Sequence, residues 1–133
     1  MTLQNDPLFH EGVARFNRQE FFEAHEAWEE LWHNTTGEGK DFVQGLIQVA
    51  SSLHHFQNGN MRGAVILYGS GLELLSPYGA RYAGVNLELL RTNFRRALSE
   101  VVDLPLDRLA GRAHPTLFKI PYSAERVFSI EIA

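Results

Sequence analysis

Between Lys40 and Gly59 the chain reads KDFVQGLIQVASSLHHFQNG, with Phe42, Leu46, Val49, Leu53 and Phe56 recurring at intervals of four, three, four and three. An α-helix places all five on one side, whereas a strand, with its period of two, scatters them over both faces. A helix with so continuous an apolar stripe is stable only when other amphipathic elements cover it, so the remaining segments should supply matching stripes.

They do so in chain order. Asp6-Pro7 pairs an N-cap side chain with a proline at the first helical position, predicting a helix over about 7–17 with Leu8, Val13 and Phe16 on its apolar side. The break at Asn17 to Gln19 is short enough to turn the next helix, about 20–33, back antiparallel. The run HNTTGEG ends that helix, and Asn58-Gly59 ends the one that follows. Asn60 caps a fourth helix carrying Ala64, Leu67, Tyr68, Leu72 and Leu75, which Ser76-Pro77-Tyr78-Gly79 stops. Gly63, Gly69 and Gly71 inside it point to close helix approach. A fifth helix is expected from near Val85 with Leu87, Leu90, Phe94, Leu98 and Val101 inward, ending before Asp103 and Pro105, with a helical turn at 106–110 after it.

The sequence thus predicts an all-α fold, a compact bundle of about five helices built from two antiparallel helical hairpins. Residues 1–133 form one helical domain, with an irregular C-terminal tail over 112–133 packed across it. Phe118, Ile120, Tyr122, Val127, Phe128, Ile130 and Ile132 make that tail too apolar to leave in water. It is expected to strap its own bundle or, as the second choice, to join two copies in a homo-oligomer.

An offset of 40 residues lays Phe16 on Phe56, Ala24 on Ala64 and Trp28 on Tyr68. The pattern resembles tetratricopeptide-type packing, in which a large aromatic and an alanine let two helices approach, although two units are too few for a solenoid.

Composition narrows the chemistry. The 133 residues contain no cysteine, which excludes disulfides, thiolate metal sites and cysteine nucleophiles, and leaves any metal to His, Asp and Glu. A net charge of -4 gives no long-range attraction to nucleic acid or anionic lipid, and Arg91, Arg95 and Arg96 read as a solvated helix face. No apolar run approaches the roughly 20 residues that span a bilayer. The start MTLQNDPLFHEG has no secretory pattern, so the expected location is the cytoplasm, with no membrane partner.

The candidate site is EFFEAHEAWEELW, Glu20 to Trp32, where one histidine and five glutamates accompany four large aromatics. On a helix His25 and Glu29 are neighbours and could ligate one divalent metal, a half-site that His54 from the antiparallel third helix would extend. Glu26, Trp28, Trp32, Gln44 and Gln48 are the candidate ligand-binding residues. Against this stands a structural reading in which His25, Glu29 and the glutamines form a polar network fixing helix register. HExxE lacks the second histidine of the HExxH zinc signature, and His25 has no Glu-x-x-His spacing of a di-iron bundle. No glycine-rich phosphate loop and no G-x-S-x-G elbow occurs.

The runs FNRQEFFEAHEAWEELW, FVQGLIQVASSLHH and GNMRGAVILYGSGLELL, within residues 16–75, resemble the prokaryotic domain-of-unknown-function family 309. The resemblance implies a compact all-helical domain without an established activity. Its motif positions here are Glu23, His25, Glu26, Glu29, Trp32, Gln44, Gln48 and His54. Three functional readings follow: a small helical binding module with a pocket of His25, Glu29, Gln48 and His54 between helices two and three; a hydrolase-like enzyme in which a metal on His25 and Glu29 activates water; and an interaction scaffold without chemistry.

Overall fold

The computed structural model describes residues 2–104 and Ile130. Five helices carry the fold: α1 (Pro7–Asn17), α2 (Phe21–His33), α3 (Gly39–Gln57), α4 (Met61–Leu75) and α5 (Leu87–Ala97). A 3-10 turn at Leu3–Asn5 precedes them, and strands β1 (Arg81–Tyr82) and β2 (Val85–Asn86) pair antiparallel between α4 and α5. The all-α reading and the two hairpins, α1–α2 and α3–α4, are what the chain adopts.

The local signals act as expected. Asp6 Oδ1 accepts from the Leu8 amide at 2.9 Å with Pro7 next to it, and Asn60 Oδ1 accepts from the Gly63 amide at 3.0 Å. Both satisfy amides that a helix start leaves without an intrahelical partner. α3 is the centre of the bundle, with α2 on one side and α4 on the other, which explains why eleven of its residues are buried.

The 40-residue echo is built into the backbone. α1 ends and α2 starts 40 residues before α3 ends and α4 starts. At the first turn Glu20 N donates to Arg15 O and Gln19 N to Phe16 O; at the second Asn60 N donates to His55 O and Gly59 N to Phe56 O. Each is a Schellman cap. Its left-handed residue is Gln19 at φ 65° in one hairpin and Gly59 at φ 81° in the other. The paired positions Phe9/Val49, Val13/Leu53, Phe16/Phe56, Phe21/Met61 and Ala24/Ala64 are all buried. The hairpins differ in how their helices meet. A Cβ on Gly12 would fall 2.0 Å from Trp28 Nε1, so only glycine admits that indole, whereas at the equivalent Ser52 the hydroxyl donates to Ala64 O at 2.6 Å.

Three expectations need correction. α5 begins at Leu87, not near Val85, because Val85 and Asn86 pair with Tyr82 and Arg81, and the Asn86 side chain caps the helix by accepting from Leu89 N at 3.0 Å. Gly69 is exposed with no atom within 4 Å of a Cβ there, so it serves no close approach; buried Gly71, beside Val49 N and Gly45 O, does. Arg91 is not a free solvated cation, since its guanidinium donates to Leu75 O at 2.8 Å and Gly79 O at 2.7 Å, closing the end of α4. The turn expected at 106–110 and most of the tail lie outside the described residues. Ile130 is buried in the core, its amide donating to Asn17 Oδ1 at 2.7 Å and its carbonyl accepting from Asn17 Nδ2 at 3.3 Å. Among the described residues no helix is long and apolar enough to cross a membrane.

Candidate functional site

α2 divides into two flanks. Phe21, Ala24, Ala27, Trp28 and Leu31 face the core, while Glu23, Glu26, Glu29 and Glu30 are exposed. His25 stands at the boundary, its side chain 25% exposed, with Nε2 3.2 Å from Glu29 Oε2. The helical i,i+4 spacing alone brings these two together. The other ring nitrogen, Nδ1, is buried and has no hydrogen-bond partner among the described residues.

One turn earlier, Phe22 keeps 45% of its surface in solvent. Its ring stacks on His25 at 5.9 Å between centroids and meets His54 of α3 at 5.4 Å. His54 lies 6.1 Å from His55, and the Asn58 amide donates to His54 Nε2 at 3.2 Å. His55 Nδ1 accepts from Asn60 Nδ2 at 3.1 Å, the same Asn60 whose oxygen caps α4. Burial, and then the neighbouring His54, hold the His55 imidazole below its ordinary pKa.

Antiparallel packing of α2 and α3 therefore brings His25 and His54 to one cluster through the Phe22 ring. Among the described residues no group of three or more His, Asp or Glu side chains is gathered so as to hold a metal ion. His25 and Glu29 remain a pair, and His54, turned to Phe22 and Asn58, does not complete them.

The expected ligand-binding residues separate. Trp28 is fully buried, its indole N–H donating to Phe9 O at 3.1 Å, so it is core and floors no pocket. Gln48 accepts from the Ser70 hydroxyl and so belongs to the α3–α4 contact, away from His25; Gln44, half-buried, precedes it by one turn. Trp32 is half-buried beneath the Lys40 ammonium, 4.1 Å from its ring centroid, and Glu26 is exposed beside the His25 cluster. Phe22 escaped the sequence reading because the adjacent Phe21 occupies the apolar stripe. The spacing Phe22, His25, Glu29, three and four residues, carried the signal.

Comparison with known proteins gives this domain its relatives. An uncharacterized protein of Aquifex aeolicus (strain VF5) is 29% identical over 92 residues, which are 68% of this chain but 28% of that protein. The chain thus matches little more than a quarter of its relative's length. Residues 9–67, which run from Phe9 in α1 to the middle of α4 and include the whole histidine cluster, match the family model of the domain of unknown function DUF309.

Proposed function

We propose that this protein is a helical binding module whose ligand face is the flank shared by α2 and the end of α3, with Phe22 as anchor. The observation that carries this reading is an exposed phenylalanine held between two imidazoles on a well-packed bundle. Full burial of such a ring is worth about 1.5–3 kcal/mol, so a partner that covers Phe22 recovers what the free protein forgoes. Exposed Glu23, Glu26 and Glu29 surround it on α2, so the matching partner is a protein segment bearing a basic side chain beside an apolar or aromatic one. Use as a module joined to other protein is consistent with the relative, in which the matched part is 28% of a longer chain.

A metal-dependent reaction has less support, because His25 and Glu29 supply two donors and the described residues add no third. The test is an amide NMR titration with the capped dipeptide arginyl-tryptophan amide, run beside zinc ion. Shifts centred on Phe22, His25 and His54 that disappear in Phe22→Ala and in Glu29→Lys support the docking face. Silence with the dipeptide overturns it, and saturable shifts from zinc alone, lost in His25→Ala, would replace it with the metal reading.

A further inference from the structure

A cavity of about 380 Å³ opens at the other end of α2, between the N-terminal turn, the start of α3 and the β-hairpin. Leu31 in its wall is nine residues from Phe22, roughly 13 Å along the helix axis, so the cavity is separate from the proposed docking face. Its lining also includes Gln4, Asp6, Asn34, Thr36 and Tyr82. Of these, Asn34 and Thr36 fall in the segment 9–67, while Gln4, Asp6 and Tyr82 lie outside it, so the cavity depends on chain flanking the matched segment.

The polar groups in this wall are partly committed and partly free. Asn34 donates its amide to Glu30 O at 3.2 Å, which leaves its side-chain oxygen. Asp6 uses Oδ1 to cap α1, which leaves Oδ2. Among the described residues no hydrogen bond engages the side chains of Gln4 or Thr36, or the Tyr82 phenol. Amides and hydroxyls both donate and accept, so the wall matches ligand groups that do the same.

Charge sets the class further. Among the described residues no Lys or Arg lines the cavity, and the one carboxylate there already serves a helix cap. The carbonyl end of α2 and the amide end of α3 meet here, so their opposite partial charges offset one another. Neither an anion nor a cation is favoured. Tyr82, Leu31 and Leu3 add apolar surface for C–H groups, and the volume sits at the low end of the roughly 300–1,000 Å³ found for small-molecule sites. We infer that this cavity binds a small neutral polyhydroxy compound, of the size of a single-ring sugar or cyclitol.

The experiment is amide NMR of the full chain titrated separately with D-glucose, myo-inositol and inorganic phosphate, repeated on Thr36→Phe, which fills the opening, and on Gln4→Leu. The expected result is saturable shifts at Asn34, Thr36, Gly39 and Ala83 with glucose or inositol, weakened about tenfold or more in Thr36→Phe. Thr36 is exposed, and equal unfolding temperatures for wild type and variants confirm that the fold is kept. No response to either polyol, polyol shifts that survive both variants, or tighter binding of phosphate than of either polyol would each overturn the assignment.

Discussion

Replacing His25 with phenylalanine should stabilise the protein while weakening the proposed docking face. The imidazole Nδ1 is buried without a partner among the described residues. Removing an unsatisfied buried nitrogen recovers about 1–3 kcal/mol. The variant gives up the pairing of Nε2 with Glu29, but that carboxylate is 51% exposed, so the pair contributes only about 0.3–0.5 kcal/mol. Phenylalanine has a helix propensity close to that of histidine and a ring able to keep the stack on Phe22. The balance is a gain of about 1–2 kcal/mol, or an unfolding temperature higher by roughly 4–8 °C for a domain of this size. Urea unfolding at pH 8, followed by far-UV circular dichroism, measures it. A loss of about 1 kcal/mol or more would refute the reasoning, because it would mean that His25 holds α2 and α3 in register through a bond that the folded chain needs. The same variant should bind the arginyl-tryptophan probe less well than wild type, since no acceptor remains beside Glu29.

Other perturbations test the frame around the site. Gly12→Ala would drive a methyl into the Trp28 indole at 2.0 Å and disturb its bond to Phe9 O, so a loss of about 3 kcal/mol should appear in the urea midpoint together with a changed tryptophan emission. Ala83, at φ 49° before Gly84 at φ 79°, occupies a two-residue hairpin turn with both angles positive. Ala83→Asn gives the Asn-Gly pair such turns prefer and should add up to about 1 kcal/mol, read as a raised melting temperature. His55 has a lowered pKa in the fold, so the unfolded chain takes up its proton first as pH falls. Its stabilising contribution is complete above the unfolded value near 6.5 and is lost as pH drops through the lower folded value. Stability should therefore decline between pH 7.5 and 5.5, and more shallowly in His55→Asn; equal slopes would refute the assignment to this residue.

Most of the helical frame was legible because its signals are local. The four-three repeat from Phe42 to Phe56, the Asp6-Pro7 start and the Asn60 cap each specify backbone within a few residues. The β-hairpin was not, because two-residue strands are too short for alternation to register, and Val85 fits a helical stripe as well as a strand pair. At the site, periodicity paired His25 with Glu29 but could not say which neighbour each flank of α3 meets. α3 is covered on two sides, so Gln48 went to Ser70 of α4 while His54, six residues on, went to Phe22 of α2. Trp28 misled for a related reason: only the absence of a side chain at Gly12, sixteen residues earlier, makes room to bury the indole completely.

The repeat itself separates framework from function. Positions that agree across the 40-residue offset, Phe16 with Phe56 and Ala24 with Ala64, are buried in both hairpins, as packing requires. The residues of the proposed face have no such counterparts: Phe22 corresponds to Arg62, His25 to Val65 and His54 to Ala14. An aromatic needed only to hold two helices together would have a buried equivalent in the second hairpin, yet Arg62 is exposed and Phe22 remains so. The histidine cluster also lies where the two hairpins meet, α2 against α3, a junction that occurs once in the described chain and that internal repetition cannot duplicate. Packing therefore accounts for the matched positions of α2, whereas the exposed and unmatched Phe22 is the position that the proposed docking face uses. Grafting tests this directly. Arg62→Phe with Val65→His on α4 rebuilds the pair of rings without the facing His54; Arg62 is exposed but Val65 is half-buried against the core, so a stability loss of about 1 kcal/mol is expected. If the grafted pair binds the arginyl-tryptophan probe as tightly as Phe22 and His25 do, the junction with α3 is not what makes the face.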